Sequence, residues 1–252
     1  MSQSTPRVLF AGESWNTYAV HTKGANSYTT SSYEEGAKDL LAALEAGGAD
    51  VTYMRNHEAT EGFPYTSDEL RRSYDAVILS DIPADTLLLP RAVFVDGQKR
   101  PNRLRSLGAF VEQGGGLLMV GGYMSFAGFE GRARYASTPL SSVLPVQISH
   151  HDDRLEEPEG VVPVVLEDHP VLRGISGEWP YFLGYNRLRA KDGGRVVLAV
   201  GDDPLLVVGQ HGSGRVAAFA SDCSPHWGSP EFLAWRHYGT FWSQLVAWLA
   251  GA

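Results

Sequence analysis

Short apolar runs alternate with helix-like stretches in the first half of the chain, and this alternation restricts the fold more than any other feature. Four apolar runs predict buried strands, at residues 7–12, 50–54, 76–80 and 117–120. Residues 101–113 between them place leucine and aromatic side chains on one helical face. Such alternation implies right-handed crossovers, so we predict an α/β fold: a flavodoxin- or Rossmann-like, doubly wound, mostly parallel sheet.

The first connection is unusually long. We predict a polar loop over residues 13–30, followed by a helix whose start is marked by Ser-x-x-Glu capping boxes within residues 31–35. Leucines at 40, 41 and 44 would form its apolar stripe, and Gly47 would end it. The loop carries aromatic residues, including Trp15, which disordered linkers rarely contain. We therefore expect it to be a wall or lid over a site.

The second half changes to hairpin-like spacing. Four strands are predicted there, at residues 161–166, 196–200, 204–208 and 215–220. Residues 230–249 predict a closing amphipathic helix with an aromatic stripe in the core. We expect antiparallel strands to extend the parallel sheet within one domain.

Composition excludes several classes of protein. The net charge is −8, which disfavours nucleic acid or an anionic membrane as the main partner. The single cysteine, Cys223, allows no internal disulfide and no multi-cysteine metal site. The first apolar run is too short for a signal peptide or a membrane span. We expect a soluble, cytoplasmic protein without a cofactor.

Three segments carry a family resemblance. Residues 117–125, Leu-Leu-Met-Val-Gly-Gly-Tyr-Met-Ser, resemble the nucleophile elbow of class I glutamine amidotransferase-like proteins. Residues 167–175, which contain Asp-His-Pro, resemble a segment of the trehalose-utilisation (ThuA-like) branch, and residues 203–222 are similar to its late hairpin. The resemblance implies a single class I glutamine amidotransferase-like domain over residues 1–252, with the best match to the subgroup labelled "putative glutamine amidotransferase".

The chain differs from that family at the positions of the catalytic residues. A working amidotransferase of this class needs a cysteine at the elbow with histidine and glutamate nearby. The elbow here runs into Tyr123, and Cys223 follows a hundred residues later. Gly228 stands two residues after His226, where the family pattern has glutamate. The sequence therefore predicts that the Cys-His-Glu glutaminase triad is missing.

Candidate site residues follow the ends of the predicted strands, because ligands bind beyond the carboxyl ends of parallel strands. We assign catalytic roles to Tyr123, Ser125 and His226, with His226 as general acid–base and the other two orienting or protonating the substrate. The predicted substrate-binding residues are Glu13, Ser14, Trp15, His21, Asp81, Arg132, Asp222 and Trp227.

Each assignment has a structural alternative. Tyr123 could fill the space of the absent thiol, His226 could be a packed loop residue, and Asp81 could be a turn former. Cys223 is expected to be a buried structural residue, with a reactive thiol as the alternative. The run His150-His151-Asp152-Asp153 has adjacent side chains that point apart, so we interpret it as a solvated loop and predict no metal site.

Two functions from different classes remain. One is an enzyme that binds and transforms a small polar, carbohydrate-like metabolite, as the ThuA-like resemblance implies. The other is a non-catalytic ligand-binding or oligomer-forming module derived from the amidotransferase fold, which the absent cysteine supports. We expect a small-molecule ligand and a homo-oligomer, and neither nucleic acid nor membrane as partner.

Overall fold

The computed structural model describes residues 5–251; residues 1–4 and 252 of the predicted domain lie outside it. The strands are β1 (Arg7–Gly12), β2 (Ser14–Lys23), β3 (Asn26–Glu35), β4 (Asp50–Met54), β5 (Ala76–Ser80), β6 (Gly116–Val120), β7 (Val146–Gln147), β8 (Arg154–Val161), β9 (Val164–Val165), β10 (Phe182–Asn186), β11 (Arg189–Ala190), β12 (Arg195–Val200), β13 (Asp203–His211) and β14 (Gly214–Phe219). The helices are α1 (Lys38–Ala46), α2 (Asn56–Gly62), α3 (Ser67–Ser73), α4 (Ala84–Leu88), α5 (Arg91–Phe94), α6 (Arg103–Glu112), α7 (Leu140–Val143), α8 (Pro230–Leu233) and α9 (Tyr238–Leu249).

An eight-stranded sheet in the order β4-β1-β5-β6-β14-β13-β12-β9 forms the centre of the protein. The pairings from β4 to β14 are parallel, and those from β14 to β9 are antiparallel. This arrangement confirms the predicted α/β class, a mostly parallel sheet extended by antiparallel strands. Five parallel strands, in the order β4-β1-β5-β6-β14, therefore end at the same edge of the sheet.

The core lies on both faces of this sheet. Every residue of β5 and β6 is buried, as expected for central strands whose runs are apolar throughout. Helix α1 packs against α9, whereas α6 packs against α3 and α4, so the helices divide into two layers. Within residues 5–251, no helix has the length and apolar character needed to span a bilayer.

The predicted loop over residues 13–30 is wrong. Strands β2 and β3 pair along their full length, from Ser14↔Glu35 to Lys23↔Asn26, and form a separate two-stranded ribbon. We call this ribbon, residues 14–35, the arm. Its threonines, tyrosines and Val20 favour strands, and this preference outweighs the short capping pattern. The helix begins only at Lys38, so the Ser-x-x-Glu boxes cap nothing.

Two other segments differ from the prediction. The strand expected over 161–166 divides at Pro163 into β8 and β9, because proline has no amide hydrogen for the ladder. The closing helix over 230–249 divides into α8 and α9, with residues 234–237 between them. His237 precedes α9 without a side-chain cap hydrogen bond.

Candidate functional site

A cavity of about 370 Å³ lies at the carboxyl ends of the adjacent strands β1, β5, β6 and β14. Its lining residues are Glu13, Trp15, Asp81, Tyr123, Asp222, Ser224, Pro225 and His226. Six of the sequence-predicted candidates thus meet here: five come from the strand exits, and the sixth, Trp15, comes from the start of the arm. This is the place where an open α/β sheet binds ligands.

Three lining residues have left-handed backbone conformations that only glycine adopts readily. The φ angles are +48° at Glu13, +44° at Asp81 and +126° at His226. Each such residue costs on the order of 1–3 kcal/mol and persists only where the surroundings impose it. Three strained residues around one cavity indicate that the surrounding fold directs these side chains at a cost in stability.

Two glycines make the position of Glu13 attainable. A Cβ on Gly12 would lie 1.7 Å from the carbonyl oxygen of Ser80, and φ at Gly12 is +122°. A Cβ on Gly36 would lie 2.7 Å from Oε2 of Glu13. The Gly36 amide also donates to the Glu13 carbonyl at 2.9 Å, so the end of the arm is fastened to the start of the site.

The Glu13 carboxyl group is buried in a network of hydroxyl groups. The Ser80 hydroxyl donates to Oε1 at 2.5 Å, and the Ser224 hydroxyl lies 3.0 Å from Oε2. The same Ser224 oxygen lies 3.0 Å from Oδ1 of Asp222. One hydroxyl proton can serve only one of these two carboxyl oxygens, so the other contact is a full hydrogen bond only when that carboxyl group is protonated.

The pKa values agree with this proton count. Burial, followed by repulsion from Asp81, raises the pKa of Glu13 to about 7. Burial, with Glu13 and Asp81 as further causes, raises the pKa of Asp222 well above its usual value, and burial also raises that of Asp81. Near neutral pH, Glu13 is therefore available in both protonation states, as a general acid or base requires.

Asp81 is held from behind by the segment after β6. Its Oδ1 accepts a hydrogen bond from the Met124 amide at 2.6 Å, and its own amide donates to the Ser125 hydroxyl at 3.0 Å. Ser125 is buried and does not line the cavity. Ser14 is likewise buried, with its hydroxyl accepting from the Asn56 amide at 2.8 Å. Both serines, predicted to touch substrate, lie behind the wall of the cavity.

An aromatic wall closes another side. The rings of Tyr123 and His226 meet edge to face with centroids 4.7 Å apart. Trp227 is fully buried behind Tyr123, at 5.7 Å, and does not line the cavity. The Tyr123 hydroxyl donates to Oε1 of Glu156 at 2.7 Å, and the Trp227 indole donates to Oε2 at 2.9 Å. Tyr123 is thus held by its hydroxyl, which leaves its ring for a ligand.

Arg154 fixes the other face of that wall. Its guanidinium lies 4.4 Å from the Tyr123 centroid and 4.3 Å from that of Phe129, between two rings inclined by only 16°. Sequence reasoning missed Arg154 and Glu156, which lie on β8. Their contacts are distant along the chain, and the charged run of β8 carries no motif that could have signalled them.

Two predicted ligand-binding residues lie elsewhere. His21 is far along the arm, where its ring stacks on Tyr28 at 4.8 Å and bonds the Thr30 hydroxyl at 2.9 Å. Arg132 is exposed and pairs with Glu130 at 2.5 Å. Neither side chain lines the cavity. Both were predicted from their residue type within predicted loops; His21 instead lies on β2 of the arm, away from the strand ends.

Cys223 is buried beside the cavity. Its sulfur lies 3.7 Å from the Ser80 hydroxyl, and burial raises the pKa of the thiol well above its usual value. A thiolate nucleophile needs the opposite environment. Ligand atoms of Glu13, Asp222 and Cys223 lie within 4.8 Å of one another, but the first two already bond hydroxyl groups.

The run at residues 150–153 is not uniformly solvated. Asp153 is buried and accepts hydrogen bonds from the amides of Ala127 and Gly128 at 3.0 and 2.8 Å. Asp152 instead pairs with Arg154 at 2.9 Å. A second cavity of about 640 Å³ lies here, where Arg187 is paired with Asp203 at 3.0 Å. Its charges neutralise one another, whereas the cavity at the strand ends holds clustered acids.

Comparison with known proteins identifies relatives of the whole chain. Residues 7–251 match the model of a family described as "Putative glutamine amidotransferase". The structures of "Cytoplasmic Protein STM3548" and "Cytoplasmic Protein STM1381" from Salmonella typhimurium are each 46% identical, with TM-scores of 0.93; each alignment covers 96% of this chain, and 98% and 99% of theirs. A ThuA-like protein from Parabacteroides merdae shares the fold at a TM-score of 0.56 and 11% identity, over 98% of this chain and 90% of that one. A search of the curated proteins found no match.

Proposed function

This chain belongs to the glutamine amidotransferase-like family whose model it matches over residues 7–251, and we propose that it binds and transforms a small, polar, carbohydrate-like metabolite in the cavity at the strand ends. The observation that carries the proposal is the cluster of Glu13, Asp81 and Asp222 on strained or buried backbone around one cavity. Acids kept at such a cost are typical of sites where protons are transferred.

The composition of the wall supports the class of ligand. Three carboxyl groups line the cavity, and the lining residues include neither lysine nor arginine. The ionised share of these carboxyl groups would repel phosphorylated or carboxylated ligands, whereas neutral hydroxyl groups can hydrogen-bond to the carboxyl oxygens in either protonation state. The rings of Trp15 and Tyr123 offer apolar faces for the C–H side of a sugar. The geometry therefore favours a neutral polyhydroxyl compound.

The chemistry we propose is general acid–base catalysis. Glu13, with a pKa raised to about 7, would transfer a proton to or from a substrate hydroxyl. After Glu13 has donated a proton, a protonated Asp222 would return one to it through the Ser224 hydroxyl, which contacts both carboxyl groups. His226, which also lines the cavity, would serve as the second acid or base. Tyr123 would supply a binding face, because its hydroxyl is bonded to Glu156.

Calorimetric titration tests this function with two matched panels. We expect neutral monosaccharides or polyols to bind, and their phosphate and uronic acid derivatives to bind at least tenfold more weakly. Asp222→Asn should alter binding or turnover of the ligand found, whereas Asp192→Asn, in an exposed turn, should not. Preference for the anionic derivatives would refute the proposal, and binding without any turnover would favour the non-catalytic module.

The same proposal excludes the reaction that gives the family its description. With Tyr123 at the elbow and a buried, protonated Cys223, we expect no ammonia release from glutamine. Glutamine turnover that is lost in Cys223→Ala would make that thiol the nucleophile and contradict the argument.

We propose the cytoplasm as the place of action, because the two Salmonella typhimurium relatives are described as cytoplasmic proteins.

A further inference from the structure

The His226 ring is held at the cavity by aromatic contacts. It is exposed, and none of the hydrogen bonds or ion pairs formed by residues 5–251 involves it. Its neighbours are the Tyr123 ring, which it meets edge to face at 4.7 Å, and the Trp227 ring, on which it stacks at 5.6 Å with an inclination of 26°. These two rings therefore decide where the imidazole lies.

One carboxylate holds both of those rings. Glu156 accepts a hydrogen bond from the Tyr123 hydroxyl at Oε1, at 2.7 Å, and from the Trp227 indole at Oε2, at 2.9 Å. Arg154 lies on the same face of β8, 3.6 Å from Oε1, and its guanidinium is 4.4 Å from the Tyr123 centroid. Neither ring can move away from His226 without breaking a hydrogen bond to Glu156.

The strand that pairs with β8 makes room for this arrangement. Gly184 of β10 lies directly opposite Glu156 in the ladder. A Cβ on Gly184 would lie 2.3 Å from Nε1 of Trp227, so a side chain there would displace the indole. The Leu183 amide also donates to the Trp227 carbonyl at 2.9 Å, which fastens the main chain of Trp227 to the same strand. The pairing of β8 with β10 thus brings the indole to the carboxylate.

We propose that Glu156 is a positioning residue, which sets the place of the His226 imidazole at the cavity through Tyr123 and Trp227. The proposal rests on the function proposed above, in which His226 is the second acid or base. Proton transfer depends on accurate placement, since a misplacement of about 1 Å can lower a rate on the order of a hundredfold. Glu156 does not line the cavity, so it would act on the reaction without touching the substrate.

Nuclear Overhauser effects between the ring protons of His226 and Tyr123, measured on the ligand-free protein, test the placement directly. Glu156→Ala removes both acceptors and should weaken these cross-peaks at least threefold. Glu156→Gln should keep them, because its amide oxygen can accept from the indole and its amide nitrogen can donate to the Tyr123 hydroxyl. The matched control is Glu159→Ala, which removes an exposed carboxylate from the same strand and should leave the cross-peaks unchanged.

Cross-peaks of equal strength in Glu156→Ala and wild type would overturn the positioning role. The Glu156 side chain is 48% exposed, so circular dichroism of Glu156→Ala should match the wild type. If that variant does not fold, Tyr123→Phe replaces it. This change removes one of the two hydrogen bonds and keeps the ring, so the contact with His226 should weaken in part. An unchanged contact in Tyr123→Phe would overturn the role equally.

Turnover of the ligand found separates this role from the proposed function. The kcat should fall at least tenfold in Glu156→Ala, return to within threefold of wild type in Glu156→Gln, and stay unchanged in Glu159→Ala. A lost ring contact with an unchanged kcat would support the positioning of His226 by Glu156 and exclude His226 from the reaction. Equal loss of kcat and ring contact in Glu156→Ala and Glu156→Gln would show that charge, and not the pair of hydrogen bonds, holds the wall, and would refute the proposal.

Discussion

Replacing Glu13 by glutamine should increase the stability of the protein relative to the wild type, and this difference should grow as the pH rises. The variant keeps the size and polarity of the side chain but cannot ionise. In the wild type, burial raises the pKa of Glu13 from 4.5 to about 7. The folded protein therefore holds a proton that the unfolded chain releases above pH 4.5, and stability present below that pH is lost as the pH rises towards 7.

The size of the effect follows from that difference in pKa. At about 1.4 kcal/mol for each tenfold change in proton affinity, the full loss is about 3 kcal/mol. Part of it has already occurred at pH 5, so about 2.5 kcal/mol should be lost between pH 5 and pH 8. Relative to the wild type, Glu13→Gln should gain that amount over the same range, while binding or turnover of the ligand falls.

Urea unfolding followed by tryptophan fluorescence, at pH 5, 6, 7 and 8, measures the difference. Glu45→Gln, which removes an exposed carboxylate from α1, is the matched control and should change stability by less than about 0.5 kcal/mol. A difference between Glu13→Gln and wild type that is the same at pH 5 and pH 8 would show that Glu13 is ionised in the folded protein, and the proton-sharing network would be wrong.

Two further predictions concern the wall of the site. Trp15→Ala should weaken ligand binding at least tenfold, because Trp15 lines the cavity. It should lower the melting temperature by no more than about 4 °C, because the side chain is 37% exposed. Unchanged binding with a larger loss of stability would make Trp15 a packing residue only. Gly36→Ala should lower the free energy of unfolding, measured with urea, by about 1–3 kcal/mol, because its Cβ would lie 2.7 Å from Oε2 of Glu13 and 3.0 Å from the Ser224 hydroxyl. Gly62→Ala is the control, and equal effects of the two substitutions would contradict this close approach.

The fold could be predicted because its signal is local. Runs such as residues 76–80 and 117–120 are apolar at every position, and only a central strand buries them completely. The arm could not be predicted in the same way. Residues 31–35 fit a helix-capping pattern as well as a strand, and the choice depends on pairing with residues 14–18, which no local pattern shows.

The residues of the site also differ in whether the sequence could predict their positions. Glu13 and Asp81 directly follow strands and Asp222 lies three residues after β14, so their meeting at one cavity could be anticipated from the topology. The roles of Ser125 and Tyr123 could not, because each depends on one distant partner, the Asp81 amide and Glu156. Side-chain direction is decided by such long-range hydrogen bonds, and residue type alone does not reveal it.

The exit from β1 leaves natural variation little freedom. Gly12 cannot gain even a methyl group without meeting the Ser80 carbonyl oxygen, so the main chain that presents Glu13 tolerates no single amino-acid replacement there. Trp15 also lines the cavity, and its exchange alters the wall without moving that main chain. Related proteins can therefore acquire new ligands by exchanging Trp15 while they keep Glu13, Asp81 and Asp222. Their ligand selectivity should then change before their chemistry does.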